Sequence, residues 1–396
     1  MSPGRSRAPD SLDHMAQRSS TDAQVAVIGG GVVGAAVLYA LARRGVPGLL
    51  LEAEDELALG ASGTNSGILH NGFDSSPGEL ETKLLLRAAK LREPVLDRLA
   101  VPVIRCGALL LPRSDDDVAA VTRLAENAAT NGVAVTLRDD GGLEVPGEAV
   151  SDPVAYTLAL AGAAIAGGAE IRTGARVEGI EKTDRGLVLS TVGGETVSCD
   201  LAVNAAGLYS DEVARMVGDE SFEVYPRKGE FFVFDPPPSG PLERILLPVP
   251  TKRTKGVLVF PTVDGKVVAG PTAHDQDDKE DWSVRPQAAD EVLPKARAML
   301  PELEGATPIA SYAGLRPAGR GVNYVIGPSA REPRLINAAA IRSTGFSASL
   351  GIAERIVAVV EDLGAQLEAD RELPAVDVPR GDWPWWQRTA RAKVLG

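Results

Sequence analysis

Cysteine is nearly absent. The chain has two, Cys106 and Cys199, far apart and neither in a Cys-x-x-Cys pair. That spacing builds neither a zinc site nor an iron–sulfur cluster, and a disulfide between them is not expected in a cytoplasmic chain. Positive charge is also short: the formal net charge is −13, without the basic footprint that nucleic acid requires. Small anionic substrates stay open, because a few local arginines can dominate a cleft. No apolar run reaches the roughly 18 residues of a spanning helix. Residues 1–22 are polar, rich in Ser, Arg and Asp, and lack the hydrophobic core of a signal peptide. They read as a disordered extension, with Met15 as a candidate start. The expectation is a cytoplasmic protein with at most peripheral membrane contact.

What is present is an ordinary globular composition, 44% apolar and 24% charged over 396 residues, enough for a sizeable core and two or three domains. One stretch stands out. Val25–Ile28 is a short apolar run of the kind that makes a buried parallel strand. It ends in Gly29-Gly-Gly31-Val32-Val33-Gly34, a G-x-G-x-x-G. The first glycine allows the tight turn, the second lets backbone N–H groups approach a pyrophosphate, and the third lets the following helix pack on the strand. That helix, from about Gly34 with Gly45 at its C′ end, aims its positive N-terminus at the phosphates. Glu52, 21 residues after Gly31, closes the second strand, where an acid binds ribose hydroxyls. Strand, turn, helix and acid together predict a dinucleotide site; the motif itself leaves FAD and NAD both open.

The same architecture returns twice. Cys199–Asn204 reads as a strand ending in Ala205-Ala206-Gly207, a second close backbone approach. Leu335–Ile341 reads as a buried strand that leads through Ser343-Thr-Gly345 into a helix at Ser349–Leu363. Between these lie other patterns. Gly60–Gly72 is too glycine-rich for regular structure. Helices are predicted at Glu79–Leu99, Asp115–Asn131 and from Ser151 to about Gly167, and strands at Val103–Leu111, Ala169–Thr173, Arg176–Lys182 and Leu187–Val192. The run Asp115–Asp117 is a solvated helix start, not a metal site. From Phe222 to about Val325 short β runs dominate: Glu230–Phe234, Arg244–Leu247, Gly256–Phe260, Lys266–Gly270, Ile309–Leu315 and Asn323–Ile326, with one helix at about Arg285–Met299. That is an antiparallel sheet, with Pro236–Pro238 and Asp275–Asp281 as surface loops. The tail holds Trp383, Trp385 and Trp386, three of the four tryptophans, which should dock on the body. An NAD enzyme usually needs one compact nucleotide domain; this interleaving suits a large FAD lying along a discontinuous one.

At these residues the chain resembles the D-amino-acid-oxidase superfamily of FAD proteins, over about Val25–Leu363. Gly63-Thr-Asn-Ser66-Gly67-Ile-Leu-His70-Asn-Gly-Phe is similar to a segment shared by flavin-dependent glycerol-3-phosphate oxidases and dehydrogenases and by L-2-hydroxyglutarate oxidases. Tyr225–Glu230, the Pro250–Val257 segment, Gly270-Pro-Thr272 and Tyr312-Ala-Gly-Leu-Arg316-Pro317 fit the same groups. The chain lacks the cysteine-rich C-terminal region common in the dehydrogenase subunits, so the resemblance brings no iron–sulfur relay.

The resemblance implies an α/β plus α+β fold: a discontinuous, Rossmann-like, glutathione-reductase-like FAD-binding domain with an inserted antiparallel-sheet substrate domain. The FAD-binding part is expected at 23–78, 150–218 and 327–365, the substrate part at 79–149 and 219–326, and a tail at 366–396. It implies His70 and Arg316 as catalytic residues and Lys255, Ser66, Tyr312 and Ser347 as substrate contacts, with Lys252 and Arg253 beside Lys255. Cofactor contacts are expected from Gly29, Gly31, Val32, Val33, Gly34, Glu52, Ala61, Ser62, Thr64, Asn65, Ser66, Val177, Ala206, Gly207, Arg316, Gly345, Phe346 and Ser347, and no metal. A histidine titrates near neutrality and suits a general base, whereas His274, in the acidic loop, reads as solvated. A guanidinium fork suits a carboxylate or phosphate.

The function expected is oxidation of the secondary alcohol of a small anionic substrate, glycerol 3-phosphate or an L-2-hydroxy acid such as L-2-hydroxyglutarate, by hydride transfer to FAD. Electrons pass on to oxygen or a quinone. The alternatives are an amine or amino-acid oxidase of the same fold, which needs no histidine base, and a non-catalytic flavoprotein.

Overall fold

A computed structural model describes residues 22–250, 256–376 and 382–395. The expected extension before Asp22, and Lys252, Arg253 and Lys255, lie outside the described residues. In chain order the elements are β1 (Ala23–Ile28), α1 (Val32–Arg43), β2 (Gly48–Leu51), β3 (Ile68–Leu69), α2 (Leu80–Arg98), β4 (Val103–Ile104), β5 (Ala108–Leu110), α3 (Asp115–Thr130), β6 (Thr136–Leu137), β7 (Leu143–Val145), β8 (Ala149–Ser151), α4 (Pro153–Ala166), β9 (Glu170–Arg172), β10 (Val177–Lys182), β11 (Leu187–Thr191) and β12 (Thr196–Asn204). There follow α5 (Ser210–Arg215), β13 (Val224–Phe234), β14 (Ile245–Leu247), β15 (Leu258–Pro261), β16 (Val267–Gly270), β17 (His274–Asp275), α6 (Ala288–Met299), β18 (Ala310–Gly319), β19 (Val325–Pro328), β20 (Leu335–Ala339), α7 (Gly345–Asp362) and α8 (Trp385–Ala390).

The first sheet runs β10-β11-β12-β1-β2-β9, with β20 and β19 added beside β12. β1 pairs in parallel with both β12 and β2. Flanked on both edges, its Val25, Ala26 and Val27 are fully buried, which is why the strand is a continuous apolar run and not an alternating one. Strand β12 serves two neighbours along one edge. Thr196–Cys199 pair antiparallel with β11, and Ala202–Asn204 pair parallel with β20. Helix α1 packs against α4 and α7, and α7 against α2. Asp152 caps α4 by accepting from the N–H groups of Val154 and Ala155, the expected work of an aspartate before a proline-led helix.

The second sheet runs β17-β13-β16-β15-β14-β5-β7-β6, with β18 on β13. It is antiparallel except for β14 beside β5. Its longest ladder joins β13 to β18 over ten residue pairs, from Val224↔Gly319 to Val233↔Ala310. A small third sheet, β3-β8-β4, links the loop after Ser66 to the start of α4. The architecture is therefore mixed α/β, with a largely parallel and a largely antiparallel sheet.

Three local expectations need correction. Val103–Leu111 is two strands, broken where Gly107 takes a positive φ of 66°. The strand expected at Asn323–Ile326 lies at Val325–Pro328 and joins β20 in the first sheet, not the antiparallel one. Helix α7 starts at Gly345, four residues before the expected Ser349, because Thr344 already accepts from Ala348 through its carbonyl. Among the described residues no helix is long and apolar enough to cross a membrane, and no cluster of His, Cys, Asp and Glu is suited to a metal.

Candidate active site

The glycine turn closes tightly on its neighbours. Gly29 has φ +107°, and a Cβ there would meet the Ala205 carbonyl oxygen at 2.5 Å; a Cβ at Gly34 would come within 1.9 Å of the Gly29 carbonyl oxygen. No other residue type fits either position without moving backbone. The turn opens on a cleft of about 1430 Å3, part of it open to solvent. Gly29, Gly31, Val32, Val33, Glu52, Ala61, Ser62, Asn65, Val177, Ala206, Gly207, Gly345 and Phe346 all line it. Gly34, Thr64, Ser66, Arg316 and Ser347 do not, and their contacts lie behind or beside the wall. Gly34 is a packing residue, as its clash distance shows. Thr64 is buried against Gly314, whose Cβ would sit 2.8 Å from the threonine hydroxyl.

At one end of the cleft Glu52 turns both carboxylate oxygens to backbone. Oε2 accepts from Gly30 N–H and Oε1 from Glu54 N–H. Burial nevertheless holds its carboxyl above the usual range. Beside the glycine turn Ser62 Oγ accepts from Val32 N–H at 2.9 Å, and the first turn of α1 faces the opening. A second helix, α7, also begins at the cleft, with Gly345 and Phe346 in the wall and no side chain capping its first N–H groups. Two positive helix ends, a backbone that no Cβ may enter and a ribose-type acid fit a long, anionic dinucleotide. Sequence reasoning missed part of the lining. Glu280 reaches the cleft from the stretch Asp275–Asp281 expected to be a surface loop, Trp282 from the residue just after it, and Lys393 from the tail. Trp282 is buried on Leu208 and Leu315, and its lone position in an acidic run was the available signal.

His70 follows β3. Its backbone N–H donates to Ser347 Oγ at 2.9 Å, and Ser347 in turn donates to the Ile68 carbonyl at 3.0 Å. Its carbonyl accepts from Arg92 Nη1 at 2.7 Å. Ring Nδ1 lies 2.8 Å from Glu148 Oε2, and Glu148 is completely buried. The histidine is thus held on both backbone sides and at one ring nitrogen. Ser347 acts on it as a clamp. Ser66 Oγ accepts from Ile68 N–H at 3.4 Å, one turn earlier in the same loop.

Arg316 lies on β18, opposite Arg227 of β13. Its guanidinium lies against Gly229, where a Cβ would meet Nη2 at 2.2 Å, so the glycine makes its room. It donates to two backbone carbonyls, of Arg227 at 3.3 Å and Thr272 at 3.1 Å. Among the described residues it has no carboxylate partner. Burial first, and then the Arg227 charge, push its pKa down to about 10, still far above neutrality, so it remains a cation. Tyr312, on the same strand, is enclosed: its ring stacks on Phe231 at 4.8 Å and meets Trp385 edge-on at 5.8 Å. It is a packing residue with no open face for a substrate. His274 is exposed, as expected.

His70 and Arg316 stand beside the cleft on different sheets, and neither is part of its wall. Phe346, the chain neighbour of the clamp Ser347, and Pro317, the neighbour of Arg316, both line it. Thr64, six residues before His70, packs on Gly314, two residues before Arg316. The antiparallel sheet is thereby seated on the loop that carries the histidine.

A glycine-turn dinucleotide cleft shared between a parallel and an antiparallel sheet defines the nucleotide-dependent oxidoreductase class. Residues 24–359 match the family described as DAO, FAD dependent oxidoreductase, and the chain belongs to that family; its cofactor is FAD. It is 29% identical over 360 residues to the glycerol 3-phosphate dehydrogenase of Caloramator mitchellensis, covering 87% of this chain and 75% of that protein. It is 28% identical to the glycerol 3-phosphate oxidase of Mycoplasma pneumoniae, covering 84% and 93%, and 28% identical to the L-2-hydroxyglutarate dehydrogenase of Escherichia coli K12, covering 62% and 63%. Among solved structures, the dithionite-reduced, FAD-bound L-alpha-glycerophosphate oxidase of Mycoplasma pneumoniae superposes with a TM-score of 0.82 at 25% identity, over 90% of this chain and 99% of that one.

Proposed function

We propose that the chain oxidises the secondary alcohol of a small anionic substrate, glycerol 3-phosphate first and an L-2-hydroxy acid such as L-2-hydroxyglutarate second, to the ketone. The observation that carries this is Arg316: a half-buried guanidinium that, among the described residues, has no hydrogen-bonded acid, seated beside the cofactor cleft. A desolvated cation without a directly paired acid is costly, and a substrate phosphate or carboxylate can pair with it bidentately. FAD, when bound, takes up the hydrogen and the electron pair that leave the substrate carbon. The residues of this chain do the rest. Arg316 holds the anionic end and sets the distance of the carbinol from the His70 loop. His70 accepts the hydroxyl proton at the ring nitrogen that Glu148 does not occupy. Ser347 and Arg92 keep the His70 backbone from shifting, so the base is placed before substrate arrives. Lys255, outside the described residues, remains the proposed second contact to a phosphate.

On this reading Glu52 holds the ribose, the Gly29–Gly34 turn and Ser62 hold the pyrophosphate, and the α7 N-terminus with Gly345 and Phe346 meets the flavin end. The FAD-binding unit comprises 23–78, 150–218 and 327–365, and the remainder of the body contributes Arg316. The similarity to glycerol 3-phosphate oxidases and dehydrogenases supports both the alcohol and the phosphate. Oxygen is the proposed electron acceptor, in line with the oxidase relatives, with a quinone as the second candidate. The test is an anaerobic screen of flavin reduction with glycerol 3-phosphate, L-2-hydroxyglutarate, lactate and a set of amino acids. Reduction by a hydroxy anion is expected; reduction by amino acids alone would overturn the proposal.

A further inference from the structure

We propose that Glu148 is a positioning residue that fixes where the His70 ring carries its proton, on Nδ1, and so leaves Nε2 as the base. The inference rests on the alcohol-oxidation reading above, which by itself needs a histidine but nothing behind it.

The two residues are 78 positions apart. Glu148 ends the turn Val145-Pro-Gly-Glu between β7 and β8, closed by its own N–H donating to the Val145 carbonyl. Gly147 lets the turn lie flat on Asn71, since a Cβ there would meet Asn71 Nδ2 at 2.7 Å. The carboxylate is completely buried. Oε1 accepts from Asn71 N–H at 2.7 Å, and Oε2 lies 2.8 Å from His70 Nδ1. Arg92, itself buried, is the neighbouring cation, and the Glu148 charge acts on it. An ionised carboxylate can only accept. Nδ1 must therefore donate, and the lone pair of the neutral ring is left on Nε2.

A carboxylate kept only to staple the loop would need one oxygen, the one on Asn71 N–H. The second oxygen is spent on the ring. It also holds the ring's rotation, while Ser347 and Arg92 hold the backbone. When Nε2 takes the hydroxyl proton, the ring becomes a cation facing an anion at hydrogen-bond distance, and the developing charge is stabilised where it forms. The proton moves from substrate oxygen to Nε2; the Nδ1 proton stays on the ring.

The test uses the FAD-loaded full chain carrying Glu148→Gln, with two readouts. The amide oxygen of the glutamine can keep the Asn71 N–H, which leaves its NH2 facing Nδ1. That group can only donate, so the ring proton moves to Nε2 and the base is lost. Turnover is expected to fall about 100-fold or more, in kcat and not in KM. Imidazole 15N NMR on the substrate-free protein is expected to change from an Nδ1–H to an Nε2–H pattern. The chain has only three histidines, so His70→Asn assigns the signal. Glu148→Asp keeps the charge and should keep the Nδ1–H pattern; an Nε2–H ring in that variant overturns the proposal even if Glu148→Gln does not fold. An unchanged ring pattern in Glu148→Gln also overturns it, whatever the turnover. A switched pattern with undiminished turnover supports the placement of the proton but removes His70 as the base, and with it the alcohol-oxidation reading.

Discussion

Arg227 and Arg316 stand directly opposite each other in the β13–β18 ladder, and among the described residues only Arg227 is hydrogen-bonded to a carboxylate. Arg227 pairs with Asp275 through two hydrogen bonds, at 2.5 and 2.9 Å. Arg316 has two carbonyls and, among the described residues, no acid. Their roles should separate in the same assay. Arg316→Gln is expected to raise the KM for an anionic alcohol by roughly 30-fold or more, the cost of losing one partner of a desolvated charge pair. Arg227→Gln should change it by less than about threefold, because that guanidinium is already paired with Asp275. Substrate titrations of anaerobic flavin reduction measure both. Equal effects would remove Arg316 from the anion site.

Glu52 predicts a pH dependence of cofactor binding. Its folded-state pKa is raised, chiefly by burial. An acid shifted this way binds its proton more tightly when folded, so the ionised form destabilises the apo-protein, increasingly as pH rises through the raised pKa. Ribose hydroxyls donating to the carboxylate offset that penalty. FAD affinity should therefore fall as pH drops through the window just above the ordinary glutamate value of about 4.3. Glu52→Gln should abolish this dependence and weaken FAD binding by about 10- to 100-fold at neutral pH, while leaving the apo-protein as stable or more so. Fluorescence titration of FAD at a series of pH values, with thermal melts of the apo-protein, checks each part.

The tryptophans of the C-terminal segment divide by burial. Trp385 is 3% exposed and meets Tyr312, and Trp386 donates to Asp264 at 3.1 Å, whereas Trp383 is half exposed. Arg388 and Lys393 of the same segment pair with Glu56 and Glu54, in the loop that follows β2. Trp385→Ala should cost about 3–5 kcal/mol in denaturant unfolding, and Trp383→Ala less than about 1 kcal/mol. Because the helix braces the loop beside Glu52, Trp385→Ala should also release FAD faster. A Trp385 variant with unchanged stability would show that the tail does not depend on this contact.

Much of this was legible where the chemistry is local in the chain. Gly29, Gly31, Gly34 and Glu52 carry their geometry in their spacing, since a strand, a turn and a helix are consecutive. The repeat of that pattern at Gly207 and Gly345 carried it further, because each strand of the parallel sheet ends at the same edge. Pairings across long separations were not legible. Nothing in Val145-Pro-Gly-Glu148 says that the turn points inward at His70. Asn323–Ile326 has the same β character whichever sheet it joins, and the strand that takes it is β20, which β12 pairs along the edge it also shares with β11. Trp282 sat in an acidic run that reads as solvent-facing, yet Lys228, fully buried, pairs with Asp281 at 2.7 Å and Lys279 with Asp211 at 2.9 Å, fastening that run over the cleft. Tyr312 matched a motif by position, but its neighbours Phe231 and Trp385, from distant segments, enclose it.

The most direct test of the central claim compares the rate of anaerobic flavin reduction by glycerol 3-phosphate in the wild-type chain and in His70→Asn. Rapid bleaching of the flavin band is expected in the wild type. In the variant it should be slower by about 100- to 10,000-fold, the range for loss of a general base, with FAD still bound. Equal rates in the two proteins would contradict the account.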